Sequence, residues 1–128
     1  MNAKTRGNKG EDEAALYLEN AGLEVLERNF RTRTGEIDII ALDGEPPNGT
    51  IVFVEVKNWG HYGIENLEFG IDEKKQRKII ETAKYFLSKY RKYRCMAVRF
   101  DVIFIAPEDG TQPSRLLTHL VSAFAESI

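Results

Sequence analysis

The sequence predicts an α/β domain with a mixed central β-sheet flanked by helices, in the order α-β-β-β-α-β-α. Three observations carry this. Segments of helical apolar period are interspersed with strand-like apolar runs. A cluster of turn residues, Asp43-Gly44-Glu45-Pro46-Pro47-Asn48-Gly49, separates two of those runs. No linker, repeat or low-complexity tract divides the 128 residues, so residues 1–128 read as one domain, with 1–8 a flexible N-terminus.

Lys9 to Ala21 reads as a helix, because Ala14, Ala15, Leu18 and Ala21 recur at 3–4 spacing and Gly22 can end it. Leu23 to Phe30 reads as a strand, although Val25 and Leu26 break its alternation. Thr34 to Leu42 and Thr50 to Lys57 are two further strands, joined by the turn cluster into an antiparallel hairpin. Asn58 to Gly70 has three glycines and little period, and is expected to be a loop. Ile71 to Tyr93 is the strongest helix, with Ile79, Ile80, Ala83, Phe86, Leu87 and Tyr90 on one stripe. Val98 to Ile105 is a fourth strand. Leu117, Leu120, Val121, Phe124, Ala125 and Ile128 are spaced as a C-terminal helix.

Several classes are excluded or disfavoured. Cys95 is the single cysteine, which rules out an intrachain disulfide and a cysteine-based zinc site. No apolar run approaches the length of a membrane span, and Met1 to Arg6 lacks a signal-like stretch. The expected compartment is the cytoplasm, with no membrane partner. The net charge of -2 is the sum of two unlike parts. Between Lys74 and Arg94 nine basic side chains face Glu81 alone, a net of +8, and the rest of the chain carries -10. Charge runs are usually solvated faces, but the nearly single sign of this one favours a phosphate backbone.

The chemistry concentrates in the hairpin. Residues two apart on a strand share a face, so Glu36 and Asp38 point together, as do Glu55 and Lys57. A turn symmetric about Pro46-Pro47 puts Asp38 opposite Glu55 and Glu36 opposite Lys57. Carboxylates at such spacing repel, and a hard divalent ion relieves the conflict. Glu11 lies on the apolar face of its helix, as does Gln76, with Lys75 at its margin. An ordinary ion pair would equally account for Glu36 with Lys57, and a helix-dipole effect for Glu11. Lys57 can orient a water, help deprotonate it, or stabilise a pentavalent phosphate; the sequence leaves these open. Trp59, His61 and Tyr62 read as loop anchors or base-stacking groups. His61 and His119 lack ligand spacing, and Arg99 is expected to pair with Asp101.

Asp38, a hairpin, then Glu55-Val56-Lys57 resembles the PD-(D/E)xK nuclease signature, and Gly10-Glu11 ahead of it resembles the Holliday-junction-resolvase branch. Nearly the whole chain is similar to the small bacterial YraN-type family. The matching pieces include Arg28-Asn29, the run from Gly35 to Ala41, the run from Phe53 to Lys57, Lys75-Gln76 and the run from Arg99 to Val102. Ile37 stands where the superfamily name has proline, and Asn58-Trp59 stand where a basic residue is more usual.

The resemblance implies a restriction-endonuclease-like core. It implies a Mg²⁺ site, also open to Mn²⁺, at Asp38 and Glu55 with Glu11 as a further acid. Lys57 is implied as the catalytic lysine, with Lys75 and Gln76 accessory; Glu36, on the Asp38 face, is a further accessory acid by its position alone. Lys74, Lys75, Gln76, Arg77 and Lys78 would contact nucleic acid. The expected activity is phosphodiester hydrolysis in DNA, of branched or structured form, by a homodimer. The alternative is a non-catalytic nucleic-acid-binding or scaffold protein on the same fold.

Overall fold

A computed structural model describes residues 9–58, 71–105 and 117–126. The predicted 58–70 loop, with Trp59, His61 and Tyr62, falls beyond Asn58 outside the described residues, as do residues 1–8.

The chain runs through α1 (Lys9–Asn20), β1 (Glu24–Arg31), β2 (Glu36–Asp43), β3 (Thr50–Asn58), α2 (Glu73–Lys89), a 3₁₀ turn (Arg91–Tyr93), β4 (Ala97–Ile105) and β5 (Leu117–Phe124). The five strands form one sheet in the order β1-β2-β3-β4-β5. All neighbours are antiparallel except β3 and β4, which are parallel. A parallel pair needs a long crossover, and α2 lies in the connection between them.

Helices cover the two faces. Ala14, Ala15 and Leu18 of α1 pack with Ile39, Ala41, Val52, Val54, Ile103 and Ile105. Ile79, Ile80, Ala83 and Phe86 of α2 pack on the other face with Ile40, Leu42, Ile51, Phe53, Phe100, Val102 and Phe104. Aromatic rings fill that side: Phe86 meets Phe30 at 5.3 Å, Phe53 at 5.9 Å and Tyr90 at 4.7 Å between centroids. Thr82 is fully buried in α2, and its hydroxyl is satisfied by the Lys78 carbonyl at 2.8 Å.

The hairpin has the predicted register. Ile39 pairs with Val54 and Asp43 with Thr50, centred on the Pro46-Pro47 turn, whose peptide bond is cis. At Gly49 a Cβ would fall 2.7 Å from the Asp43 carbonyl oxygen, so only glycine closes this turn without a shift.

Most element ends shift by one or two residues from the sequence reading, and α2 shifts at both ends. Helix α2 starts at Glu73 rather than Ile71, because Asp72 caps it: Asp72 Oδ1 accepts the Lys75 N–H at 2.8 Å. It ends at Lys89, where Tyr90 leaves helical geometry. The broken alternation at Val25 and Leu26 is a β-bulge, with Leu26 packed against one core cluster and Val25 against the other.

The expected C-terminal helix is instead the edge strand β5. Leu117 packs on the α1 side, whereas Leu120 and Phe124 pack on the α2 side. A separation of three puts strand residues on opposite faces and a separation of four on the same face, so helical spacing also serves an edge strand with apolar contacts on both faces. An irregularity opposite Asp101 and a left-handed Ser122 (φ 53°) complete the distortion.

Candidate active site

The site forms where β2 and β3 stop pairing. Their last regular pair is Ile39 with Val54. Face alternation also breaks there, since Ile37 joins the α2-side cluster and Ile39 the α1-side cluster. Asp38 sits at this break, and its Oδ2 accepts the Val56 N–H at 2.7 Å. Glu55, one residue beyond the ladder, is 7 % exposed on the α2 side. Val54 and Val56 pack on the opposite side, as expected.

Asp38 and Glu55 share a cleft of about 510 Å³ with Glu36, Asp72, Lys74, Lys75 and Lys78. Lys75 Nζ lies 2.8 Å from Glu55 Oε1. Burial, then the neighbouring Glu55 charge, pushes the Asp38 carboxyl up to about 7, against the pull of the Val56 hydrogen bond. Burial and the adjacent Lys75 lower the Lys57 ammonium, partly opposed by Glu55 and Asp38. Burial also acts to lower Lys75, but hydrogen bonds to Glu55 and Lys57 outweigh it and raise this group. Of the two adjoining lysines, Lys75 keeps its proton more firmly and Lys57 releases it more readily.

Glu11 faces inward as predicted and is 7 % exposed. Its Oε1 accepts Arg28 Nε and Asn29 Nδ2, each at 3.0 Å. Asn29 has a left-handed backbone (φ 54°), a conformation asparagine tolerates better than most residues. Burial raises the Glu11 carboxyl, Arg28 lowers it, and the Asp38 charge adds to the rise. Glu11 therefore borders the acid pair without completing a triad. Among the described residues no three His, Cys, Asp or Glu side chains gather as a metal-binding group. The oxygen donors that fit a hard divalent ion are the two carboxylates Asp38 and Glu55.

Other predicted residues separate. Lys74, Lys75 and Lys78 line the cleft, Lys78 standing four residues after Lys74 and three after Lys75 on α2. Gln76 and Arg77 are rotated away from it and line a second groove with Glu73, Ile80 and Glu126. Gln76 Nε2 donates to the Ile71 carbonyl at 3.0 Å, and Arg77 lies 4.0 Å from Glu73. Glu36 lines the cleft but pairs with Arg31 at 3.1 Å on β1 rather than with Lys57 across the hairpin.

Sequence reasoning missed Arg28 and Asn29 as the holders of Glu11, and Asp72 as the cap that presents Lys75. The Asp72-Glu73 dipeptide at a helix start was a legible signal for the cap. It also missed His119, whose Nε2 meets Asp101 Oδ2 at 2.7 Å and whose Nδ1 meets the Tyr17 hydroxyl at 2.9 Å. The expected Arg99–Asp101 pair is present at 3.1 Å.

Sheet order, crossover and the Asp38–Glu55–Lys57 cluster together define an α/β protein with a restriction-endonuclease-like core. Residues 10–105 match the model of the uncharacterised protein family UPF0102, and the chain belongs to that family. This is the YraN-type, PD-(D/E)xK-type group that the sequence resembled. A UPF0102 protein of Treponema denticola is 43 % identical over 123 residues, covering 94 % of this chain and 95 % of the relative. One from Persephonella marina is 54 % identical over 100 residues, covering 78 % and 82 %. One from Geobacter metallireducens is 45 % identical over 126 residues, covering 97 % and 95 %. No helix among the described residues is long and apolar enough to cross a membrane.

Proposed function

We propose that the protein is a metal-dependent endonuclease that hydrolyses phosphodiester bonds in DNA, with branched or structured DNA as its substrate class. The observation that carries this is the convergence of Asp38 and Glu55, beside Lys57, in one cleft under the lysines of α2. A buried and a half-buried carboxylate in mutual repulsion suit a hard cation such as Mg²⁺ or Mn²⁺. Bound there, it would stabilise charge on the phosphate and acidify a coordinated water.

The chain's own groups supply the rest. Lys57, with its depressed ammonium, takes a proton from the attacking water more readily than an ordinary lysine. Lys74 and Lys78 are exposed on the cleft face and hold backbone phosphates. Glu11 braces Arg28 and Asn29 beside Asp38.

A second reading has its own observation. Lys75 already neutralises Glu55 at 2.8 Å, as in a fold that keeps its acids without turnover and serves as a nucleic-acid-binding scaffold. Purified protein incubated with branched, duplex and single-stranded DNA in Mg²⁺ or Mn²⁺ separates the two. The nuclease reading expects cleavage that disappears in Asp38→Ala and Lys57→Ala. Binding without cleavage in either metal favours the scaffold, and absence of binding at low salt defeats both.

A further inference from the structure

We propose that Lys75 is a resident counter-cation that a divalent ion must displace, so that metal loading turns its ammonium out of the cleft. The inference rests on the reading of Asp38 and Glu55 as metal ligands.

Geometry carries the argument. Lys75 makes the one ion pair at Glu55 among the described residues, at 2.8 Å. The Glu55 side chain is only 8 % exposed, whereas that of Lys75 is 41 % exposed. The acid is therefore fixed and dry, and its partner reaches in from solvent. Lys57 adjoins Lys75, so a second basic side chain borders the same spot. An ion bound to the same Glu55 oxygen at ordinary Mg²⁺–oxygen distance would stand within about 5 Å of Lys75 Nζ. A double positive charge and a single one do not share such a place without water between them.

The helix permits the exchange. The Lys75 backbone is pinned in the first turn of α2 by its N–H bond to Asp72 Oδ1 at 2.8 Å. Its four-carbon stem can swing while the helix stays still. Lys74 and Lys78 line the same cleft and mark where the displaced ammonium would meet a phosphate backbone. Metal-free protein is thus neutralised from within, and the ion competes with a side chain for Glu55. Loading the ion adds a third cation to the outer, phosphate-facing rim.

The test is Mn²⁺ binding to the full chain, read by electron paramagnetic resonance, in wild type, Lys75→Met and Lys78→Met. The expected result is at least about tenfold tighter binding in Lys75→Met and under about threefold in Lys78→Met, since only Lys75 competes for the ligand. Equal or weaker binding in Lys75→Met, with measurable binding in wild type, overturns the inference and leaves the metal reading intact. Absence of Mn²⁺ binding in wild type and in Lys75→Met overturns both. Should Lys75→Met not fold, the Lys75 side-chain nitrogen resonance of the wild type is followed during Mg²⁺ titration. Release to a solvent-averaged signal is expected, and an ion pair that persists at saturation overturns the inference.

Discussion

Asp38 Oδ2 accepts the Val56 N–H at 2.7 Å across the gap where β2 and β3 part, so a side chain takes the place of the next ladder carbonyl. This bond fixes an acidic group at the mouth of the hairpin and holds it beside Glu55. It also offsets part of the cost of burial, because a backbone donor favours the charged carboxylate. The offset is incomplete, and the remainder should be measurable.

With divalent ions chelated, the protein should lose stability as pH rises from about 4 to about 7. Asp38 has an ordinary value of 3.8 and is pushed up to about 7 in the fold. Between those values the folded state holds a proton that the unfolded chain releases, so rising pH favours unfolding, by at most about 1.4 kcal/mol per pH unit for one group. Asp38→Asn keeps an oxygen acceptor for Val56 and removes the titration. Urea midpoints at pH 5 and pH 8 should differ less in that variant than in wild type.

The hairpin site was legible because its signals are local. A seven-residue turn cluster fixes the register of the pairs from Ile39–Val54 to Asp43–Thr50, and Asp38 and Glu55 follow one residue beyond it. Lys75 was legible as a cation near the acids, but which flank of α2 meets the cleft and which the second groove is set by packing against the sheet and β5. Strand β5 was not legible as a strand. Its spacing satisfies two periods, and its buried partner, Asp101 on β4, accepts the Ser122 N–H at 2.9 Å across an irregular pairing that no local pattern announces. Tyr17 and His119 are joined by the fold alone, 102 residues apart.

That network should be a stability element. Asp101 is fully buried and accepts from Arg99, His119 and the Ser122 amide. Burial pushes its carboxyl up, but His119, Ser122 and Arg99 together hold it below the ordinary value. Asp101→Ala leaves those donors unpaired and should cost about 3–5 kcal/mol by urea denaturation. A depressed carboxylate stabilises above its unfolded value and loses that contribution as pH falls through the folded one. The deficit of Asp101→Ala should therefore be full at neutral pH and shrink below about pH 4.

Phe86→Ala should cost about 3–5 kcal/mol. Phe86 is 1 % exposed and touches Phe30, Phe53 and Tyr90, so its loss opens a cavity among rings from the sheet and from the residue that caps α2. Because α2 carries Lys75, the same variant should loosen the Glu55 pair. Chemical denaturation measures the first effect, and the chemical shift of the Lys75 ammonium measures the second.

Salt dependence of DNA binding should divide the basic residues of α2 by face. Lys74 and Lys78 line the acid cleft, whereas Arg77 lies in the second groove beside Glu73. Each phosphate contact releases counterions, so removing one lowers the slope of log affinity against log salt by about 1. Lys74→Ala and Lys78→Ala should each reduce the slope by that amount, and together by about twice as much. Arg77→Ala should leave it unchanged, although all three substitutions remove the same formal charge. Equal slope losses in all three would mean that DNA responds to the summed charge of the helix and not to the cleft face, and the cleft would then lose its claim to the substrate.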